Sequence, residues 1–72
     1  MTADEWTERF AAALGVAAPT EEEVATLLRV ASVAAHASER WAAPIACWLA
    51  ASAGVEPAEA LRRAEQLGLG ES

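Results

Sequence analysis

The apolar positions of the chain recur with the spacing of α-helices, and no segment alternates between apolar and polar residues as a strand does. Thr2 and Glu5 form a capping box at the start of the first such stretch, and Gly15 follows it as a helix stop. The apolar residues between them recur every four positions, at Trp6, Phe10 and Leu14. The pattern therefore predicts an amphipathic first helix.

A second capping box, Thr20 with Glu23, predicts a second helix. Its apolar stripe contains Val24, Leu27, Leu28, Ala31 and Ala34 or Ala35. Val30, Val33 and Ala37 lie outside this stripe, so the helix is apolar over more than half of its circumference and needs neighbours on two sides. Because a small bundle has one interior, we expect self-association, most simply as a symmetric dimer.

Prolines and glycines define the second half of the chain. Pro44 predicts a break around residues 39–43 and then a place in the first turn of a third helix, which Gly54 ends. One face of this helix carries Ile45, Trp48, Leu49 and Ser52. Pro57 opens a fourth helix, which Gly68 ends. The predicted inner stripe of the fourth helix is Ala58, Leu61, Ala64 and Leu67.

The fold class is therefore predicted to be all-α, a compact bundle of four short helices in a single domain over residues 1–72. Its breaks are expected at residues 15–20, 39–43 and 54–57. The core of so short a chain rarely supplies more than ~3–5 kcal/mol of net stability. A single cysteine excludes an internal disulfide, so helix packing or a partner subunit must supply the rest.

The charge of the chain excludes some classes of partner. Eleven acidic residues against five arginines give a net charge of −6, which argues against nucleic acid and anionic membrane surfaces. The longest uncharged run, Trp41 to Val55, is shorter than the ~20 residues of a membrane-spanning helix. The acidic start lacks the basic region of a signal peptide, and a lone cysteine fits a reducing compartment. We therefore expect a cytoplasmic protein.

The residues with the most chemical capability are concentrated between positions 35 and 49, and five of them form the candidate binding site: His36, Ser38, Glu39, Arg40 and Trp41. One interpretation is structural, with His36 and Arg40 at a helix C-terminus and Glu39 paired with an arginine. The other is a polar patch for an anionic ligand or a partner chain, beside which Trp41 could anchor an interface or stack on a planar ligand.

Other side chains favour ordinary structural roles. Cys47 lies mid-helix as a small apolar residue, and a nucleophilic pair with His36 would also need an oxyanion site that no glycine-rich turn provides. Core packing is expected for Trp6 and Trp48. The acidic run 21–23 is explained by a helix start. The sequence therefore predicts no catalytic residue, no metal site and no cofactor.

Five segments carry a resemblance to a known family. They are Trp6 to Val16, Ala35-His36-Ala37-Ser38-Glu39-Arg40, Ala43-Pro44-Ile45, Cys47-Trp48-Leu49 and Pro57-Ala58-Glu59-Ala60-Leu61. Together the chain resembles a small family of uncharacterised actinobacterial proteins, domain of unknown function 6457. In that family the domain occurs alone or joined to molybdenum cofactor guanylyltransferase. The resemblance implies a role in molybdenum-cofactor maturation, although this chain lacks the glycine-rich nucleotide loop of that enzyme.

Three functions follow from these observations. The first is a non-enzymatic accessory or protein-interaction domain, which docks on the guanylyltransferase or a molybdoenzyme maturation factor through residues 36–41 and the third helix. The second is a small protein that holds an anionic cofactor between His36 and Arg40. The third, and least favoured, is an enzyme that uses Cys47 or His36.

Overall fold

The computed structural model describes residues 1–70, with side chains through residue 67. Four helices follow one another along the chain: α1 Ala3–Leu14, α2 Glu21–Ala37, α3 Ala42–Ala53 and α4 Pro57–Gly70. No strand occurs within the described range. The prediction of an all-α bundle of four helices is confirmed.

Both predicted capping boxes are present. The hydroxyls of Thr2 and Thr20 accept hydrogen bonds from the backbone N–H groups of Glu5 and Glu23, at 3.1 and 3.0 Å. The two glutamate carboxylates accept in return from the threonine N–H groups, at 2.9 and 2.8 Å. Each box therefore satisfies two backbone donors that would otherwise lack a partner at the start of α1 and of α2.

The predicted glycine stops are also present. Gly15 and Gly54 have φ angles of 76° and 73°, in the left-handed region that disfavours residues with a Cβ atom. The valine after each glycine donates its N–H to a carbonyl five residues earlier, at 3.0 Å for Val16 and 3.3 Å for Val55. This pattern closes the last turns of α1 and α3 as the sequence predicts.

Two predicted boundaries are wrong by a few residues. The break between α2 and α3 covers residues 38–41 rather than 39–43, because α3 begins two residues before Pro44, which lies in the first turn as predicted. A first-turn proline removes no helical hydrogen bond, so α3 can begin two residues before it. Helix α4 also continues past Gly68 to Gly70, since one glycine costs only ~1 kcal/mol in a helix.

Helix α2 lies at the centre and packs against both α3 and α4. The buried core where these helices meet consists of Val30, Ala60 and Leu61. Four partly buried apolar residues pack around it: Val33, Ala46, Ala50 and Val55. The prediction that α2 needs neighbours on two sides is confirmed.

The predicted buried stripe of α2 is wrong in part, because Val24 and Leu28 are exposed while Val30 is the most buried residue of the helix. The helix is rotated so that the seam between α3 and α4 falls on Val30. Since Val30 is buried and Val33 is half-buried within one chain, these two residues give no reason for self-association, which stays a prediction.

The remaining core predictions are confirmed only in part. In the predicted stripe of α4, Leu61 is buried and Ala64 half-buried, but Ala60 is buried instead of Ala58, and Leu67 is exposed. Trp6 and Trp48, both expected in the core, are exposed as well. Small residues form the helix contacts instead, so the large residues lie on the other side of the helix. This is clearest in α3.

Candidate functional site

Helix α3 packs against α2 through its small residues. Ala43, Ala46, Cys47 and Ala50 are half-buried and lie on one side of the helix. The Sγ atom of Cys47 lies 3.9 Å from the carbonyl oxygen of Leu27 in α2, to which the thiol donates a weak hydrogen bond. Small side chains at this contact leave the large residues of α3 on its other side.

These large residues form an exposed apolar surface, here named the α3 outer face: Trp41, Ile45, Trp48 and Leu49. Their side chains lie within about 100° around the helix, and their exposed fractions are between 47 and 67%. Helix α3 also contains no charged residue. A helix that is uncharged all round is typical of one that is covered on both sides, yet α3 is covered on one.

The predicted polar site begins at the last turn of α2 with His36. Its Nδ1 atom lies 2.7 Å from the carbonyl oxygen of Ser32 and 3.2 Å from the Ser32 hydroxyl. A carbonyl only accepts hydrogen bonds, so Nδ1 donates and carries the hydrogen. The exposed His36 ring is therefore held against its own helix, with Nε2 as its other polar atom.

Ser38 ends α2. Its backbone N–H and its hydroxyl both donate to the carbonyl oxygen of Ala34, at 3.1 and 2.9 Å. This double contact satisfies a carbonyl in the last turn of the helix. Ser38 therefore has the capping role that the structural interpretation of this segment gave to Arg40.

Glu39 and Trp41 contact each other, since the indole N–H of Trp41 donates to the Glu39 carboxylate. The expected pairing of Glu39 with an arginine is not formed in the described part of the chain. The described ion pairs join Arg29 to Glu65 and both Arg62 and Arg63 to Glu59. The exposed guanidinium of Arg40 takes part in none of these.

The structure does not gather the five predicted site residues into one pocket. Helix α2 ends at Ala37, so His36 and Arg40 do not share a helical face. Cys47 lies beside Leu27, which is nine positions before His36 and about 13 Å away along α2. A Cys47–His36 pair of the kind that activates a nucleophile is therefore not formed. Within the described residues, no three potential ligands are grouped around a metal position.

A shallow groove of about 240 Å³ lies elsewhere, between the first turns of α2 and α4. Its lining includes three carboxylates, from Glu22, Glu23 and Glu56. Sequence reasoning missed this groove because it treated the acidic start of α2 by itself, without the start of α4. Its negative charge makes it unsuitable for the anionic ligand proposed near Arg40.

Hydrogen bonds lower the pKa of carboxyl groups at two helix starts. In α4, hydrogen bonds from Arg62 and then Arg63 lower the pKa of Glu59 to about 2. In α1, hydrogen bonds from the backbone and then the side chain of Thr2 lower the pKa of Glu5. Neither carboxyl group belongs to the predicted site.

Comparison with known proteins gives the family but no further function. No curated protein and no solved structure matches the chain significantly. None of the helices in the described residues is long and apolar enough to cross a membrane. A model of one protein family, described as a domain of unknown function, matches residues 1–70. The chain therefore belongs to the family Domain of unknown function (DUF6457).

Proposed function

We propose that this chain is a non-enzymatic accessory domain that binds another protein through the α3 outer face. The observation that carries the proposal is the exposure of Trp41, Ile45, Trp48 and Leu49 together on an uncharged helix. Tryptophan is enriched among residues that dominate binding energy, and full burial of a large apolar side chain contributes ~1.5–3 kcal/mol. Two exposed tryptophans on one helix face are suited to this role.

The local contacts of the polar residues support a role other than catalysis. His36 is bonded to its own helix, Ser38 caps it, and Cys47 is half-buried against α2. Each of these groups has a structural partner that explains its position. Apart from the hydrogen bond of Trp41 to Glu39, the α3 outer face has no such partner in the part of the chain that the structure describes.

The proposed partner comes from the family resemblance. We propose that the domain docks on molybdenum cofactor guanylyltransferase or on a molybdoenzyme maturation factor, and that it acts in the cytoplasm. Trp41 lies where the α3 outer face meets the segment from His36 to Arg40. A partner that covers Trp41 would therefore contact both the apolar face and the exposed Arg40 guanidinium.

The test is a binding titration between the purified chain and purified molybdenum cofactor guanylyltransferase. We expect Trp48→Ala to weaken binding at least about tenfold, as loss of a central aromatic contact does. Leu67→Ala is the control, because Leu67 is an apolar residue of similar exposure but belongs to α4. The proposed partner would be wrong if the unaltered chain did not bind, and the proposed surface would be wrong if both variants weakened binding equally.

A second function is favoured by Arg40, whose exposed guanidinium is outside the described ion pairs. A guanidinium offers forked donors to the phosphate or carboxylate of an anionic cofactor. His36 lies on the last turn of α2 and does not share a face with it, so Arg40 would be the main contact. Arg40→Ala should then abolish binding of inorganic phosphate or a nucleotide, measured by calorimetry, while changing stability by ~0.5 kcal/mol or less. Unaltered binding in this variant would exclude Arg40 as the anion contact.

A further inference from the structure

Helix α1 presents a second exposed apolar surface, here named the α1 outer face: Trp6, Phe10 and Leu14. The rings of Trp6 and Phe10 stack with centroids 4.9 Å apart. The exposed fractions of the three side chains are between 48 and 61%, and α1 buries only Ala11. This helix takes part in neither of the two main helix contacts, which join α2 to α3 and α2 to α4.

The solvent-accessible surface of the chain is larger than that of a typical folded monomer of the same mass. The chain exposes 5645 Å², whereas a folded monomer of 7.5 kDa exposes about 4,250 Å². The excess is about 1,400 Å² for each chain. A stable interface between two proteins buries about 800 Å² of each partner. One additional interface with a second copy would therefore account for more than half of the excess.

The two outer faces match in length and spacing. Trp6, Phe10 and Leu14 recur every four residues, as do Trp41, Ile45 and Leu49. Each ridge is about 12 Å long and begins with a tryptophan. Ridges of this spacing pack into one another when two helices cross at about −50°.

Charge does not oppose this contact. Helix α3 contains no charged residue. The four charged residues of α1 all lie at least about 100° around the helix from Phe10: Asp4, Glu5, Glu8 and Arg9. Covering one ridge with the other would therefore leave the charged residues of α1 outside the centre of the contact. The nearest charges of the other ridge, Glu39 and Arg40, lie at its Trp41 end.

We propose that two copies of the chain form a reciprocal dimer, in which the α1 outer face of each copy covers the α3 outer face of the other. This inference rests on the proposed function in one respect, that the α3 outer face binds protein. The second copy covers that face when the other partner is absent, so the dimer and the guanylyltransferase compete for it. A reciprocal arrangement follows a two-fold axis and forms two equivalent helix contacts. It covers both outer faces at once, whereas pairing α1 with α1 or α3 with α3 would leave one face exposed.

The experiment measures mass by sedimentation equilibrium for the whole chain and two variants. One variant carries Trp6→Ala and Phe10→Ala, and the other carries Trp48→Ala. We expect the unaltered chain to have twice the 7.5 kDa mass of one copy, and each variant to dissociate at least about tenfold more readily. Leu67→Ala, which changes neither face, should leave the dimer intact. Circular dichroism checks the fold, with Ile45→Ala replacing Trp48→Ala if helicity is lost.

Mixing the two variants gives the decisive result. A mixed dimer has one intact contact, between the unaltered α3 of one variant and the unaltered α1 of the other, and one contact that is altered on both sides. Because losses within a single contact are less than additive, the mixture should associate more tightly than either variant alone. A monomeric unaltered chain, loss of association from only one face, or no gain on mixing would each overturn the inference. A monomer that still binds the guanylyltransferase through Trp48 would overturn the dimer alone. A dimer that binds no guanylyltransferase would instead contradict that proposed partner.

Discussion

Truncation of a small buried side chain is expected to cost more stability than truncation of a larger exposed one two residues away. Val30 is 2% exposed at the centre of the core, whereas Leu28 on the same helix is 65% exposed. Val30→Ala removes two methyl groups from the core and leaves a cavity between α2, α3 and α4. Leu28→Ala removes more atoms, but most of them are already in water.

The magnitude for Val30→Ala follows from three contributions. Loss of the buried methyl groups costs ~1.6 kcal/mol, and the remaining cavity adds up to ~1 kcal/mol. The higher helix propensity of alanine returns ~0.5 kcal/mol, which leaves a net loss of ~2 kcal/mol. Leu28→Ala is expected to cost ~0.5 kcal/mol, because leucine and alanine have similar propensities and the site is exposed.

Urea unfolding followed by circular dichroism measures both values. With a denaturant slope of ~1 kcal/mol per molar for a small domain, Val30→Ala should lower the midpoint by ~2 M and Leu28→Ala by ~0.5 M. Neither residue belongs to an outer face, so the proposed association does not change their order. An equal or larger loss for Leu28→Ala would refute the rotation of α2 on which the core assignment depends.

Three further results are expected. Thr20→Ala should lower the free energy of unfolding by ~1 kcal/mol, because Thr20 caps the central helix. Thr2→Ala should reduce the helical circular dichroism signal but have a smaller effect on urea unfolding. Equal losses of unfolding free energy in the two variants would contradict this. Gly54→Ala should cost ~1 kcal/mol in the same assay from its positive φ alone, since a Cβ atom there meets nothing within 4 Å; a much larger loss would indicate closer packing. Stability should fall as pH is lowered from about 4.5 towards 2, because folding lowers the pKa of Glu59 to about 2 and protonation in this range weakens its contacts with arginine. Glu59→Gln should flatten that part of the acid-unfolding curve. An unchanged curve would exclude this carboxyl group as the cause.

The helix ends could be predicted from sequence because their causes are local. Thr20 contacts Glu23 three residues away, and Gly54 adopts a backbone angle that its own lack of a side chain permits. Such contacts depend on neighbouring residues and hardly on the rest of the fold. The same local logic explains why Pro57 correctly marks the start of α4.

The buried faces could not be predicted with the same success because α2 and α3 are apolar nearly all round. A period in the sequence indicates that a helix forms, but it does not indicate a helix's rotation when both sides are apolar. Residue size would have indicated which side of α3 packs against α2, because the small residues Ala43, Ala46 and Ala50 lie on one side of the helix. Reasoning that large residues belong in the core placed Trp48 on the wrong side.

The candidate site was predictable only as a segment. Its residues are chemically diverse in sequence, but the contacts that decide their roles depend on where α2 ends. Ser38 caps the helix and Glu39 accepts from Trp41, so the chain turns before Arg40 can share a face with His36. A shift of the helix end by one turn would have changed these partners, and α2 lacks the glycine stop that marks the ends of α1 and α3 in the sequence.

The division of α3 into a small-residue side and a large-residue side separates stability from binding. The alanines and Cys47 fix α3 against α2, while Trp41, Ile45, Trp48 and Leu49 contribute little to that contact. Changes on the outer face can therefore alter the partner without unfolding the domain. In the opposite arrangement, the tryptophans would have to fit into the small core of a 72-residue chain. The exposed side of α3 would then consist of alanines, which have too little side-chain area to bind a partner tightly. A domain this small can present a large apolar surface because its own core uses small side chains.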